Sequence, residues 1–125
     1  MTIAQAIAQA DKLKPNLMDT ATKIAFLNQI ENIIWDELVM AHEHEETEEV
    51  QPDYDAQTST STELIVPVPY DMVYVYWLMA QMDHQNMEYE KYNNDYAMFT
   101  NMYDNLSNWW IRHKRPIPVT GGFRI

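Results

Sequence analysis

The chain has 125 residues, which is enough for one domain with a sizeable hydrophobic core. It carries 19 acidic and 8 basic residues, a net charge of −11, which argues against binding nucleic acid through its general surface because that binding depends on neutralising phosphates. Cysteine is absent, which excludes disulfides and thiolate metal sites, and no apolar run approaches the length of a membrane span.

Apolar residues make up 46% of the chain, which is typical of a folded globular protein. Residues 1–10 lack the basic start and apolar block of a signal peptide, so we expect a protein of cytosolic origin. The basic residues are unevenly placed, since none occurs from Ile24 to Glu90 and three lie between positions 112 and 115. The favoured interpretation is that the negative charge keeps the protein soluble and that the basic residues complement the carbonyl end of a helix. The acidic body and the basic end could also meet in neighbouring subunits.

Two helices are predicted in the first third of the chain. The first covers residues 2–14, with Thr2 as its N-cap, and ends before Pro15 because the residue before a proline is disfavoured in the α region. The second starts behind the N-cap Asp19 and covers residues 20 to about 42. Its apolar stripe lies at positions 24, 27, 30 or 31, 34, 38 and 41. Two apolar residues fall outside the stripe, which predicts that a second surface of the helix is also covered: Ile33 and Trp35.

Residues 42–62 interrupt the helical pattern with a dense run of charged and hydroxyl side chains. Such a segment buries too little apolar surface to offset its ordering entropy, so we expect a mobile loop or an extended, protruding arm. His42 and His44 stand among carboxylates, but their spacing differs from the His-Glu-x-x-His pattern that puts two imidazoles on one helix face. The favoured interpretation is a solvated acidic loop without a tightly held metal. The next run, Leu64-Ile65-Val66, predicts either a short edge strand or an extended lead into a helix.

The stretch from Pro69 to Lys114 contains most of the Tyr and Met residues and three of the four Trp. Its apolar positions form two helical faces, at 73, 77, 80, 84 and 87 and at 92, 96, 99, 103, 106 and 110, which do not run on from each other. This predicts two long helices, residues 69 to about 85 and about 87 to 113, joined by a turn near Asn86. A single bent helix is the alternative. The second helix would be about 40 Å long.

No residue pattern in the chain indicates a catalytic or cofactor site. Asp83 is expected to be buried or half-buried on the first long helix. Its carboxylate would be either a catalytic acid or, in the favoured interpretation, the partner of a Tyr or His in a structural hydrogen bond. The chain has only two glycines, at 121 and 122, and therefore no Gly-rich phosphate loop, and it has no nucleophile elbow. We expect a protein that is not an enzyme and has no catalytic, cofactor-binding or metal-binding residues.

Many positions of the chain resemble a known family. In the C-terminal half they are Pro69-Tyr70-Asp71, residues 74–83, Asn86, Glu88, Glu90, Tyr92-Asn93-Asn94, Phe99, Tyr103, Trp109 and residues 112–116. In the N-terminal half they are Lys14-Pro15-Asn16, Asp19, Lys23 and Phe26-Leu27-Asn28. With these residues the chain is similar to small proteins encoded in the head and neck region of tailed phages and prophages, often of Gram-positive hosts. Those proteins are head–tail connector, adaptor or neck proteins.

The resemblance implies a mainly helical structural protein that forms a homo-oligomeric ring beneath the portal. It implies the portal and other neck or tail proteins as partners, with no sequence-specific nucleic acid and no membrane. The expected location is the head–tail junction of the virion, and the cytoplasm of the bacterial host during assembly or as a prophage product. Another neck or tail-completion protein of the same gene cluster is the alternative, and a small helical binding or regulatory module is a further one.

The fold class that we expect is mainly α, a small helical bundle with two long C-terminal helices. A short β element or an extended arm would lie between residues 45 and 68, and residues 1–125 would form one domain. The segment 116–125 has two prolines and two glycines before an apolar tip, which suits either a peptide that adds to another protein's surface or a frayed terminus. The residues predicted to make interactions are Trp109, Trp110, Arg112, Lys114, Arg115, Phe123, Arg124 and Ile125.

Overall fold

The structure is a computed structural model that describes residues 1–118. Its four α helices are α1 (Ile3–Leu13), α2 (Thr20–Ile34), α3 (Met72–Gln85) and α4 (Tyr89–His113). A π-helical segment, Trp35–Val39, continues α2, and a single 3-10 turn covers Glu46–Glu49. Within residues 1–118 there is no β-strand, because the only bridges, Thr2 with Glu63 and His42 with Pro116, are isolated. The prediction of a mainly α, small helical bundle is confirmed.

The starts of α1 and α2 lie where the capping residues predict them. The Thr2 hydroxyl accepts a hydrogen bond from the Gln5 amide at 3.1 Å, and the Gln5 side chain accepts one from the Thr2 amide at 2.9 Å. This reciprocal pair is a capping box. At α2, the Asp19 carboxylate accepts from the Thr22 amide at 2.8 Å. In each helix the capping side chain therefore satisfies one of the free amides of the first turn.

Helix α3 is the centre of the bundle, because α1, α2 and α4 all pack against it. Its buried residues lie all round the helix: Val73, Tyr74, Val75, Leu78, Met79, Ala80, Met82 and Asp83. The predicted single apolar face of α3 is therefore wrong at its C-terminal end, where His84 and Met87 are exposed. A helix surrounded by three others is apolar on every side, and a one-face pattern cannot describe it.

A tight turn joins α3 to α4, so the chain forms two helices and the alternative of one bent helix is wrong. Asn86 ends α3, and Met87 adopts a left-handed backbone conformation with φ of 60°. Helix α4 then packs chiefly on α3, which makes the pair an antiparallel helical hairpin. None of the helices in residues 1–118 is long and apolar enough to cross a membrane.

Residues 50–71 form an extended arm rather than a strand. The amides of Ile3 and Ala4 donate to the Thr62 and Thr60 carbonyl oxygens at 3.0 and 2.9 Å. Leu64 and Val66 of the arm are buried in the core. Of the two alternatives for this segment, the extended lead into α3 is the one that forms. Helix α3 begins at Met72 instead of Pro69.

The acidic segment lies against α2, so the expectation that it protrudes is wrong. The Asn32 side chain donates to the Pro52 carbonyl oxygen at 3.0 Å, and the Trp35 indole donates to the Glu48 carbonyl oxygen at 2.8 Å. The Asn28 side chain accepts from the Tyr54 amide at 2.8 Å. Side chains of α2 and of the π-helical segment thus bind the backbone of the acidic segment, which the apolar content of that segment alone could not indicate.

Candidate functional site

A buried carboxylate fixes the arm to the bundle. Glu31 of α2 has no exposed surface and accepts hydrogen bonds from the Tyr74 hydroxyl at 2.5 Å, the Tyr54 hydroxyl at 2.9 Å and the Ile65 amide at 2.9 Å. Burial raises the pKa of Glu31, and the three donors offset part of that rise. Burial and the neighbouring Glu31 carboxylate also raise the pKa of Tyr74. Every member of the cluster is occupied in holding α2, α3 and the arm together, so its role is structural.

A second buried charge lies where α1, α3 and α4 meet. The ammonium of Lys14 is 2.5 Å from the Asp83 carboxylate and 3.2 Å from the Asp95 carboxylate. The predicted partner of Asp83, a Tyr or His, is therefore wrong, because Lys14 at the end of α1 reaches it instead. Burial, followed by the neighbouring Asp95 carboxylate, raises the pKa of Asp83 to about 6. Burial alone would lower the pKa of Lys14, but its hydrogen bonds to both carboxylates raise it.

The charges of Lys14, Asp83 and Asp95 explain why hydrogen bonding raises the pKa of Lys14 and why the second carboxylate raises the pKa of Asp83. The ammonium gains from two carboxylates, whereas each carboxylate has one cation and one like charge beside it. Asp83 has no exposed surface, so no substrate touches it in this arrangement. The favoured interpretation, a structural role, agrees with this geometry.

The two histidines of the acidic segment are held by hydrogen bonds. His42 is buried, and its Nδ1 donates to the Leu38 carbonyl oxygen at 2.7 Å. His44 contacts the His42 carbonyl oxygen at 2.7 Å and the Glu49 carboxylate at 3.1 Å, and these two contacts raise its pKa. A raised pKa opposes metal binding, because a metal needs neutral imidazole. Residues 1–118 contain no group of three or more side chains suited to hold a metal ion.

An open cleft lies between α2 and α4, with α3 as its floor. Because both outer helices pack on α3, a gap of about 280 Å³ remains between them. We call it the aromatic cleft, and its lining residues are Ile30, Ile33, Glu37, Trp77, Tyr96, Phe99, Thr100 and Tyr103. Ile33 is 38% exposed and Tyr96 is 40% exposed, so the apolar walls face solvent.

Aromatic contacts give the cleft a fixed shape. The rings of Trp77 and Phe99 are 5.1 Å apart, and Phe99 also contacts Tyr96 at 5.6 Å and Tyr103 at 5.8 Å. The Trp77 indole donates to the Phe26 carbonyl oxygen at 2.8 Å, which fixes the floor.

One hydrogen bond closes the end of the cleft near the π-helical segment. The Tyr103 hydroxyl of α4 donates to the exposed Glu37 carboxylate at 2.5 Å. Burial, followed by the hydrogen bond to Glu37, raises the pKa of Tyr103, so it remains a neutral donor. The aromatic cleft therefore combines apolar walls with one carboxylate at its rim, which suits an apolar side chain next to a cation.

The predicted interaction residues occupy different environments at the end of α4. Trp109 is half-buried and stacks on His113 at 4.8 Å and against Tyr70 at 5.7 Å. Trp110 is 6% exposed and belongs to the core, so it contributes to packing instead of to an outer surface. Three of the cations are exposed and form no ion pair with a residue in 1–118: Arg112, Lys114 and Arg115. Phe123, Arg124 and Ile125 lie outside the described residues.

The chain beyond α4 returns to the end of the π-helical segment. The Glu43 amide donates to the Arg115 carbonyl oxygen at 2.8 Å, and the Ile117 amide donates to the Ala41 carbonyl oxygen at 2.9 Å. These bonds flank the antiparallel bridge between His42 and Pro116. The basic end of α4 therefore lies beside the acidic segment, residues 42–62, of the same chain. The separation of charges along the sequence could not decide whether these two regions meet within one chain or between neighbouring subunits.

Comparison with known proteins finds no matching family model, curated protein or solved structure. Function must therefore be inferred from the residue pattern and from these surfaces. The aromatic cleft is the surface that sequence reasoning missed. Its signal was present in Ile33, which lies off the apolar stripe of α2, and in the aromatic face of α4.

Proposed function

We propose that this chain is a structural subunit of the head–tail connection of a tailed phage or prophage, assembling as a homo-oligomeric ring beneath the portal. The phage assignment rests on the residues that resemble neck proteins, which lie chiefly in the segment between α1 and α2 and in α2, α3 and α4. The assembly role is supported by one structural observation, the exposed aromatic cleft in a chain with a small, well-packed core. Aromatic walls around a single charged group are typical of protein interfaces.

Two different surfaces on one subunit support a ring. A head-to-tail ring needs unlike patches that meet across each contact. The aromatic cleft with Glu37 at its rim is one patch, and the basic end of α4, with Arg112 and Lys114 exposed, is the other. Opposite charge on the two patches favours their pairing and guides subunit encounter.

The alternatives predict different partners. Another neck or tail-completion protein of the same gene cluster would bind tail components instead of the portal. A small helical binding or regulatory module would bind neither. Portal, protease and major capsid genes next to the coding sequence would favour the connector function.

Co-expression with the portal protein of the same phage tests the proposal. The full chain is compared with one version ending at Pro118, which keeps the backbone pairing with residues 41–43, and one ending at Lys114, which loses it. We expect the full chain to copurify with the portal and the version ending at Lys114 to do so more weakly. Circular dichroism of each version serves as the folding control.

Phage heads made without this protein provide the second test. We expect them to package DNA and fail to join tails. If neither the full chain nor either shortened version binds the portal, and heads lacking the protein still join tails, the connector function is refuted.

A further inference from the structure

We propose that the aromatic cleft of one subunit receives Ile111 of a second copy of this chain, with Lys114 of that copy on Glu37, so that the α4 helices of neighbouring subunits run in the same direction. The inference rests on the proposed function, because it names the residues and the direction of the contact between subunits. It is carried by the exposure of Ile111, by the charge at the cleft rim and by the order of these groups along α4.

The last turn of α4 carries an exposed apolar side chain one turn from an unpaired cation. Ile111 is 57% exposed, and Lys114, the C-cap of the helix, is exposed and forms no ion pair with a residue in 1–118. Residues three apart in a helix lie on the same face. Within residues 1–118, no other exposed large apolar residue of an α helix has an unpaired cation three or four positions away. The end of α4 therefore offers a combination that the rest of the described helices lack.

The cleft matches this combination in size and in charge. An apolar cavity of about 150 Å³ holds a benzene molecule, so the cleft, at about 280 Å³, has room for the side chain of Ile111. The exposed Glu37 carboxylate at the rim accepts one hydrogen bond, from the Tyr103 hydroxyl. An ionised carboxylate accepts more than one hydrogen bond, so the ammonium of Lys114 can join it without displacing Tyr103.

The order of the groups along α4 sets the direction of the neighbour. In the subunit that provides the cleft, the wall at Thr100 precedes the rim at Tyr103 and Glu37 by three residues, a rise of about 4.5 Å. In the second copy, Ile111 precedes Lys114 by the same three residues. The apolar and charged groups of the two copies coincide only when the helices run in the same direction. A helix running the opposite way would carry its cation toward the start of α4, away from Glu37.

The offset between the two helices makes the contact a head-to-tail one. It joins the region of Thr100 in one subunit to Ile111 in the next, which is an offset of eleven residues or about 16 Å along the helix. A two-fold axis cannot relate two parallel helices that are offset along their length. The contact is therefore between unlike surfaces, and it leaves one cleft and one end of α4 free to bind further copies.

Exchanging the two charges tests the contact on the isolated protein. Sedimentation velocity over a range of concentrations detects dissociation constants from about 1 μM to 1 mM. We expect Glu37→Lys and Lys114→Glu each to prevent association, because each variant brings like charges together. An equal mixture of the two variants, and the double variant, should associate again, because every contact then joins opposite charges. Glu37→Gln keeps an acceptor for Tyr103 without the charge and should weaken association less than Glu37→Lys does.

A matched pair of isoleucine substitutions tests the apolar part of the contact. Ile111→Ala should weaken association at least about tenfold, because a side chain buried in a cleft contributes more than one at the edge of an interface. Ile117→Ala, which shortens another exposed isoleucine near the end of the chain's helical part, should change association little. Circular dichroism of each variant shows whether it remains folded.

Three results would overturn the inference. They are a chain that stays monomeric up to millimolar concentration, a mixture of the two charge variants that fails to associate, and an association that stops at two subunits. All three are measured without the portal. Failure to bind the portal would refute the proposed function and leave this contact between copies in place.

Discussion

Replacing Tyr74 by Phe tests whether the buried Glu31 cluster holds the arm to the bundle. The Tyr74 hydroxyl has two partners, since it donates to Glu31 at 2.5 Å and accepts from the Val66 amide at 3.0 Å. Removing it takes a hydrogen bond from a charged acceptor, worth about 1.5–3 kcal/mol, and leaves a buried amide unpaired at a cost of about 1–3 kcal/mol. Because the cluster can relax in part, we expect a loss of about 3 kcal/mol in the free energy of unfolding.

Two control substitutions show whether the loss of stability is specific to the Tyr74 hydroxyl or follows from removing any tyrosine hydroxyl. Tyr54→Phe removes one donor to Glu31 from a half-buried site that water can reach, so we expect a loss of about 1 kcal/mol or less. Tyr76→Phe removes a half-buried hydroxyl that has no hydrogen bond with a residue in 1–118, so we expect almost no loss.

Urea unfolding followed by circular dichroism measures all three variants at pH 7. The predicted order of destabilisation is Tyr74→Phe, then Tyr54→Phe, then Tyr76→Phe. A domain of this size loses roughly 3–4 °C of melting temperature per kcal/mol, so the first variant should melt about 10 °C lower. If Tyr74→Phe is no less stable than Tyr76→Phe, the cluster does not anchor the arm.

Two further substitutions test other features of the fold. Lys14→Met leaves the Asp83 and Asp95 carboxylates without their cation, so we expect a loss of about 3 kcal/mol at pH 7 in urea unfolding, whereas the exposed control Lys12→Met should change little. The loss of stability should be smaller at pH 5. The pKa of Asp83 is about 6 in the folded state against the usual 3.8, so the folded state favours the protonated carboxyl group below pH 6, and this contribution to stability is lost as the pH rises. An equal loss of stability at both pH values would contradict this. Met87→Gly should raise stability by about 0.5–1 kcal/mol, because glycine adopts the φ of 60° without strain and the Met side chain is 73% exposed, while Ala97→Gly inside α4 should lower it by a similar amount. A Met87→Gly protein that melts below the unsubstituted chain would show that the turn conformation is not strained.

Local chemistry made the helices predictable. Thr2 and Asp19 are capping residues, and both lie at the helix starts that they indicate. The break near Asn86 was predicted from two apolar faces that are out of phase, although His84 and Met87 of the first face are exposed and no glycine or proline marks the turn. These features depend on a few neighbouring residues, which is why the sequence alone was sufficient.

Features that depend on contacts between distant residues were harder to predict. Lys14 and Asp83 are 69 positions apart, and nothing in either neighbourhood indicates the pairing. Glu31 was identified as a possible member of the buried stripe, but its partners Tyr54 and Tyr74 come from other elements. The aromatic cleft is the space that α2 and α4 leave when both pack on α3, and such a space exists only after the helices are assembled.

The central position of α3 sets an order for folding on the ribosome. Helices α1 and α2 both bury their apolar residues against α3, so they cannot complete their packing until residues 72–85 have left the exit tunnel. The contacts between α3 and α4 are short-range in sequence, and contacts of that kind form faster than those between distant parts of a chain. The first half of the chain is therefore synthesised with its isoleucine and leucine side chains exposed, and its high density of negative charge keeps nascent chains apart during that interval.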